Sequence, residues 1–536
     1  MSEDNRQVIY TGGTIVTVEP GQPRAEALLT RGDRIAAVGT EEEVRAAAAA
    51  TGTAGPGDAP PAVVDLSGRA LLPGFNDAHI HALNLGITES MIDLHDLSKP
   101  EIIERLAEGA ANLPAGEILM GIGWDYPACP DPHLRDLDRA FPERPVVLIQ
   151  FSGHGGWVNT AALNRLRIRP GHDQWGLGGA QKDESGSYTG ILRDPWSAPS
   201  LQFIYLKRMI RRSEIRTALE KAFSRLVRHG ITTVQDNTWI PWVVREIARC
   251  HKAGIQTTRF SCWSLGSIPI VDRWMTLKRF DPDWYALGPV KYFWDGAFSS
   301  RTAWLHEPYV PANDGTPAST GHGEDADHIA RRLVRAIRRG RQVAAHAIGD
   351  AAVTAYVDGY ERALRKIGSS QDELRFRIEH GQLIRQDDLP RIKALGMVVS
   401  AQPNAAADPE KDLALIGAER LLHAYPYRSI LDAGIPLAFG SDYPGEATYD
   451  PMFGIHLAVN RDGPERISVD EAIAAYTTGS AYAEFAEDRK GRLSPGYLAD
   501  MVILSADPAS VSSERIREIG VEATIIGGRT VWNSDE

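Results

Sequence analysis

The stretch "LLPGFNDAHIHALNLG", residues 71–86, places His79 and His81 one residue apart at the end of an apolar run. Side chains at i and i+2 of an extended strand point to one side, so both imidazoles converge on a point, which is the geometry a metal ion needs. An isolated pair of this kind equally suits two ordinary polar residues on a half-buried strand. Distant partners decide. Lys291 in "VKYFWDG", His346 in "AAHAIGD", His380 in "RIEHGQ" and Asp442 in "FGSDYP" each close another strand-like run. Nitrogen and oxygen donors at matching places on so many strands predict a binuclear metal centre rather than scattered polar residues. With Cys129, Cys250 and Cys262 as the chain's 3 cysteines, neither a thiolate cluster nor a disulfide framework is available.

Positioning those donors requires a repeating scaffold. Strand-like runs alternate with amphipathic helices through the middle of the chain, as in βα units around a parallel sheet. Helix "IRTALEKAFSRLVRHG" puts Leu219, Phe223, Leu226 and Val227 on one face and stops at Gly230, after which "ITTVQDN" reads as a strand. The cycle returns with "RFSCWSL", "VKYFWDG", "QVAAHAIGD", "RFRIEHGQLI", "MVVSAQPN" and "IPLAFGSDYP". Counted with "LLPGFNDAHIH", these give the roughly eight strands that close a (β/α)8 barrel, whose chemistry sits at the carboxyl ends of its strands.

The predicted fold is therefore α/β: a TIM-like barrel over 71–487, a β-sandwich built from residues 1–70 and 488–536, and a lid inserted at 87–214. Both ends are β-rich, in "QVIYTGGTIVTV" and in "EATIIGGRTVWN". The insert follows the first barrel strand, is far longer than one crossover helix, and opens a helix with the capping box Ser98 to Glu101. At 536 residues several structural units are expected. The net charge of −12, with acidic and basic residues mixed, argues against nucleic acid and anionic membranes as partners. No apolar run approaches the roughly 20 residues of a membrane span, and "MSEDNRQVIYTGG" carries no secretory pattern. The expectation is a soluble cytoplasmic protein with a small-molecule substrate, and a homodimer by default.

Seven stretches carry a resemblance: "LLPGFNDAHIHA", "GHGGWVNTAAL", "VKYFWDGAFSSRTAWLHEPY", "HAIGDAAV", "RIEHGQLI", "GSDYPGE" and "GRLSPGYLADMVIL". Together they resemble the amidohydrolase superfamily, in its branch of large lid-bearing metal-dependent hydrolases that includes the N-substituted formamide deformylases. The resemblance implies that His79, His81 and Asp442 hold the more buried of two divalent metals, zinc being the leading candidate. His346 and His380 would hold the other, and Lys291 would bridge both as its N-carboxylated form. An ammonium beside two dications is disfavoured, whereas a carbamate is an anionic two-oxygen ligand. A simpler reading pairs Lys291 with Asp295.

The implied chemistry is hydrolysis of an amide-type C–N bond (amide, N-formyl, carbamate or urea-like) by metal-activated hydroxide, with Asp442 and His380 as the catalytic candidates. Candidate substrate contacts are His154 in "SGHGGWVN", Arg301 in "SSRTAW", Phe298 beside it, and the tryptophans Trp124, Trp157 and Trp294; Arg193, Trp239 and Trp263 are weaker candidates. A ring of tryptophans would favour an apolar or aromatic substrate, the alternative being core packing. Two stretches depart from the family pattern: "DGAFSSRT" after Lys291, and "NDA" before His79. The competing reading is a mononuclear deaminase, which needs a proton-shuttling glutamate near the metal histidines; alternation places Glu379 on the strand face opposite His380. A catalytically inactive binding protein is the remote third.

Overall fold

The computed structural model describes residues 6–50, 60–89, 91–111, 113–114, 116–126, 128–150, 155–175, 178–193, 212–238, 240–276, 278–311, 318–369 and 373–535. The chain divides into two compact units: Met1–His81 with Phe223–Asp442 and Thr448–Glu536, and Ala82–Ala222 with Tyr443–Ala447.

The first unit holds an eight-stranded parallel barrel, β1 (Phe75–Ile80), β2 (Ile231–Asp236), β3 (Arg259–Leu265), β4 (Tyr285–Phe293), β5 (Val343–Ala347), β6 (Arg377–His380), β7 (Val398–Ala401) and β8 (Leu437–Phe439), each hydrogen-bonded to the next in this order. Seven fall within the runs that periodicity marks as strands; β4 overlaps its run "VKYFWDG" but begins earlier, at Tyr285. The crossovers are helices with buried faces. The helix Arg212–Val227 buries Leu219, Phe223, Leu226 and Val227, and Gly230, at φ 71°, ends the connection into β2. Ala326–Ile337 is capped by Asp325, whose carboxylate accepts the His328 N–H, and buries Ile329, Leu333 and Val334. Closure between β1 and β8 uses the backbone: the Asp442 N–H donates to His79 O at 2.6 Å. Gly440 permits this approach, since a Cβ there would stand 2.3 Å from His79 N.

The same unit carries two further sheets built from both ends of the chain. One has four strands, in the order Arg34–Gly39, Ala27–Arg31, Gln7–Thr11, Ala62–Asp65. The other has six, in the order Arg529–Asn533, Val521–Ile526, Met501–Leu504, Ala70–Pro73, Thr14–Val16, Arg24–Ala25. Val8, Tyr10, Leu28 and Ile35 from one sheet pack with Ile15, Leu71, Met501 and Ile525 from the other, which makes the pair a sandwich. One boundary differs from the sequence reading. Leu71–Pro73, counted there with the first barrel strand, belong with Ala70 to the six-stranded sheet, where Ala70–Pro73 pairs with Met501–Leu504. Pro73 and Gly74 break the run, and the barrel strand begins at Phe75.

The second unit is the insertion. Its sheet runs Gln174–Trp175, Gly178–Lys182, Tyr188–Arg193, Gly155–Val158, Val146–Gln150, Leu119–Trp124, Ile92–Asp93. Helix Lys99–Ala111 starts where the capping box predicts, with the Ser98 N–H donating to Glu101 Oε2 at 2.8 Å. The unit begins at Ala82 rather than 87 and takes in Tyr443–Ala447, a segment distant in sequence that periodicity does not assign to it. Among the described residues, no helix is long and apolar enough to cross a membrane.

Candidate metal centre

Five strand ends of the barrel bring their donors together. His79 and His81 come from β1 and its end, Lys291 from β4, His346 from β5, His380 from β6, and Asp442 follows β8. Asp442 Oδ1 stands 3.4 Å from His79 Nε2 and 3.3 Å from His81 Nε2. Among the described residues these three form the group whose ligand atoms all lie within 4.8 Å of one another. Lys291 Nζ is 3.2 Å from His79 Nε2. The His346 and His380 rings lie edge to face with centroids 4.3 Å apart, and His380 Nδ1 is 3.9 Å from Asp442 Oδ2.

Two of these residues hold their places through unusual backbone: His380 has φ 74° and Asp442 φ 55°, left-handed values that bulky side chains rarely take. At His380 this turn overrides strand alternation. Arg377 and Glu379 are fully buried in the barrel, and Glu379 Oε2 lies 2.7 Å from His79 Nδ1. The placement of Glu379 away from the histidines is therefore corrected: both it and His380 face the centre's histidines.

The electrostatics suit a cation. Burial pushes the Lys291 amine down to about 8, against the pull of Glu379 and Asp442. Burial and the nearby Lys291 charge push the imidazole of His346 down to about 4, and burial with His346 pushes that of His380 well below its ordinary value. His79 is lowered by burial and by Lys291. Burial alone would raise Asp442, yet the imidazoles of His79, His81 and His380 hold its carboxyl well below the usual range. A divalent cation binds imidazoles through a nitrogen lone pair and carboxyls as carboxylates, the donor types gathered at these strand ends. His346 Nε2 donates to Gly296 O at 2.9 Å, which leaves Nδ1 with its lone pair. Nitrogen and oxygen donors of this kind fit zinc and other divalent first-row ions.

Behind the donors, Asp77 ties the first and last barrel strands. Its carboxyl accepts the N–H groups of His79 at 3.1 Å and Ser441 at 2.9 Å, and burial pushes it up to about 7. The pairing of Lys291 with Asp295 does not occur. Asp295 instead accepts backbone N–H groups of Trp304, Ile348 and Gly349 at 3.0, 3.0 and 2.8 Å, fixing the loops after β4 and β5.

The substrate candidates scatter. His154 and Trp239 lie outside the described residues. Trp124 and Trp157 are fully buried in the core of the second unit, their rings in edge contact at 5.9 Å. Trp294 is buried and stacks on Tyr292 at 5.0 Å, and Trp263 packs inside the barrel against His79 at 5.1 Å. These four rings are packing elements rather than a rim, because burying so large an apolar surface outweighs exposing it at a mouth. Phe298 is buried against Tyr309. Arg301, at φ 55°, donates to Val310 O at 2.6 Å and so caps its own loop. Arg193 is exposed at the end of Tyr188–Arg193. A second aromatic beside the centre is one the sequence reading passed over. Phe293, the last residue of β4, is 45% exposed, yet its ring is 5.6 Å from His346 and 5.1 Å from Lys291 Nζ. Its signal was its spacing: it lies at i+2 from Lys291, hence on the same strand face.

A parallel barrel with this donor set at its strand ends defines the metal-dependent hydrolase class. The chain belongs to the amidohydrolase family, whose sequence pattern matches residues 62–532. YtcJ of Bacillus subtilis is 30% identical over 548 residues, 98% of this chain and 99% of its own. The N-substituted formamide deformylase of Arthrobacter pascens is 29% identical over 560 residues, 98% of each chain. A crystal structure of an uncharacterized metal-dependent hydrolase from Pyrococcus furiosus superposes with a TM-score of 0.76 at 28% identity, over 94% of this chain and 100% of that one.

Proposed function

We propose that this protein hydrolyses an amide-type C–N bond, in an amide, N-formyl, carbamate or urea-like compound, of a small substrate with an apolar or aromatic group. The observation that carries this reading is the gathering of His79, His81 and Asp442 within 4.8 Å, with Lys291, His346 and His380 beside them. The similarity to a formamide deformylase over nearly the whole chain supports the bond type. His79, His81 and Asp442 would hold one divalent metal, and His346 and His380 a second, with zinc the first candidate. When bound, such ions supply Lewis acidity, lowering the pKa of water and polarising a carbonyl.

The chain's own groups do the rest. Lys291, lowered to about 8, is partly neutral near neutral pH. Its neutral nitrogen can bond to the carbon of CO₂ with release of one proton, which replaces a buried cation by an anionic carbamate. Asp442, kept ionised by its imidazole neighbours, takes the proton of the attacking water and returns it to the leaving nitrogen. His380 lies against Asp442 and helps hold that carboxylate in place. The exposed face of Phe293 offers an apolar wall for the substituent on the scissile group. A deaminase would need a free carboxylate as proton shuttle. Glu379 is engaged on both oxygens, by His79 and Arg377, in the barrel interior.

The test is a panel assay of metal-loaded protein. N-formyl arylalkylamines, simple aryl amides and carbamates should release amine and acid, and amino-substituted heterocycles should release no ammonia. Ammonia release alone, or no turnover on any C–N substrate at full metal load, would overturn the reading.

A further inference from the structure

A continuous chain of buried polar side chains runs from His79 through the barrel interior. His79 Nδ1 meets Glu379 Oε2 at 2.7 Å, and Arg377 Nε donates to Glu379 Oε1 at 2.7 Å. Arg377 Nη1 donates to Gln235 Oε1, and its Nη2 donates to Ala78 O at 2.7 Å and Ser400 Oγ at 2.9 Å. Gln235 Nε2 donates to Asn76 Oδ1 at 3.2 Å, Asn76 Nδ2 to Glu484 Oε1 at 2.6 Å, and Lys490 Nζ pairs with Glu484 at 2.9 Å. Arg377, Glu379 and Gln235 are fully buried and Asn76 is 2% exposed.

Barrel interiors are ordinarily filled by branched aliphatic side chains. The Arg377–Glu379 ion pair buried there is a poor stabiliser, because desolvation offsets most of its attraction. Its arrangement fits another purpose. Glu379 sits against a permanent cation: Arg377 Nε donates to its Oε1 and Arg377 Nη2 to its Oε2 at 3.3 Å, the pairing of a guanidinium with a carboxylate. An ionised carboxylate only accepts, so His79 Nδ1 must carry the hydrogen. Nε2 then bears the lone pair, and it faces two donors, Lys291 Nζ at 3.2 Å and Asn237 Nδ2 at 3.4 Å.

We propose that Glu379, anchored by Arg377 and by the side-chain relay through Gln235 and Asn76 to Glu484 and Lys490, is the positioning residue of His79. It fixes the Nδ1–H tautomer and the ring plane, so that Nε2 is presented to the metal pocket before any ion arrives. Asn76, one of the departures from the family pattern, is the link that joins Gln235 to Glu484. The proposal rests on the metal-centre reading above. Outer partners of this kind change metal affinity by about 10- to 100-fold.

The test uses Co(II) as probe and the metal-free protein as reference. In metal-free native protein labelled with ¹⁵N-histidine, one imidazole should show a protonated Nδ1 with a strongly downfield proton. Glu379→Gln should lose that signal, bind Co(II) about 10- to 100-fold more weakly and alter its visible absorption. Asn76→Val should do the same to a smaller degree with an unchanged circular dichroism spectrum. A native spectrum in which no histidine carries Nδ1–H overturns the proposal even if Glu379→Gln fails to fold. So does a folded Glu379→Gln whose Co(II) affinity and spectrum match the native protein. Failure of the native protein to bind Co(II) at all would instead remove the metal-centre reading.

Discussion

At the scale of single residues, the centre depends on which side chains face inward, and here Phe293 carries a prediction. Its ring is the large exposed apolar surface next to the donors, at 45% exposure. If it contacts the substrate's apolar group, Phe293→Ala should raise KM several-fold for arylalkyl formamides, leave kcat nearly unchanged, and leave small formamides unaffected, since it removes uniform binding rather than transition-state contact. Equal effects on small and large substrates in steady-state assays would contradict this. The gathering of these six candidate residues was legible because barrel chemistry lies at strand ends and each of them closes a strand-like run. Glu379 was not, because alternation forbids two neighbouring residues from facing one way, and only the left-handed backbone of His380 lifts that restriction. The tryptophans were legible as large apolar residues, but residue type does not tell a buried ring from an exposed one.

At the scale of elements, strand periodicity located all eight barrel strands, and a misplaced segment, Leu71–Pro73, was apolar enough to read as part of the strand that follows it. Helix Pro409–His423 shows how an element is tied to the site. Its Asp412 accepts the Tyr425 hydroxyl at 2.6 Å, and the Tyr425 N–H donates to Gln382 O just beyond His380. Burial pushes the Asp412 carboxyl up to about 6, with the Tyr425 hydrogen bond opposing the shift. A carboxyl with a raised folded-state value binds more protons when folded, so its contribution is present below pH 3.8 and is lost as pH rises through about 6. Asn can still accept the hydroxyl and does not ionise. Denaturant melts should therefore show Asp412→Asn gaining on the native protein by roughly 3 kcal/mol between pH 3.5 and pH 7. A constant difference across that range would mean that Asp412 ionises normally.

At the scale of the whole molecule, both chain ends build one sandwich, the middle builds the barrel, and a long insertion builds a unit with its own sheet and core. The similarity to YtcJ and to the formamide deformylase extends over all of these parts. A shared architecture does not fix chemistry; the site must do that. The central proposal is accordingly about the site: Lys291, a buried lysine whose amine is lowered to about 8 and lies 3.2 Å from a histidine, would serve as its carbamate in holding two metals. Elemental analysis of the purified native protein and of Lys291→Ala by inductively coupled plasma mass spectrometry tests it most directly. The account predicts about two metals per native chain, falling to one or none in the variant. One metal in both proteins would exclude Lys291 from the centre and contradict the account.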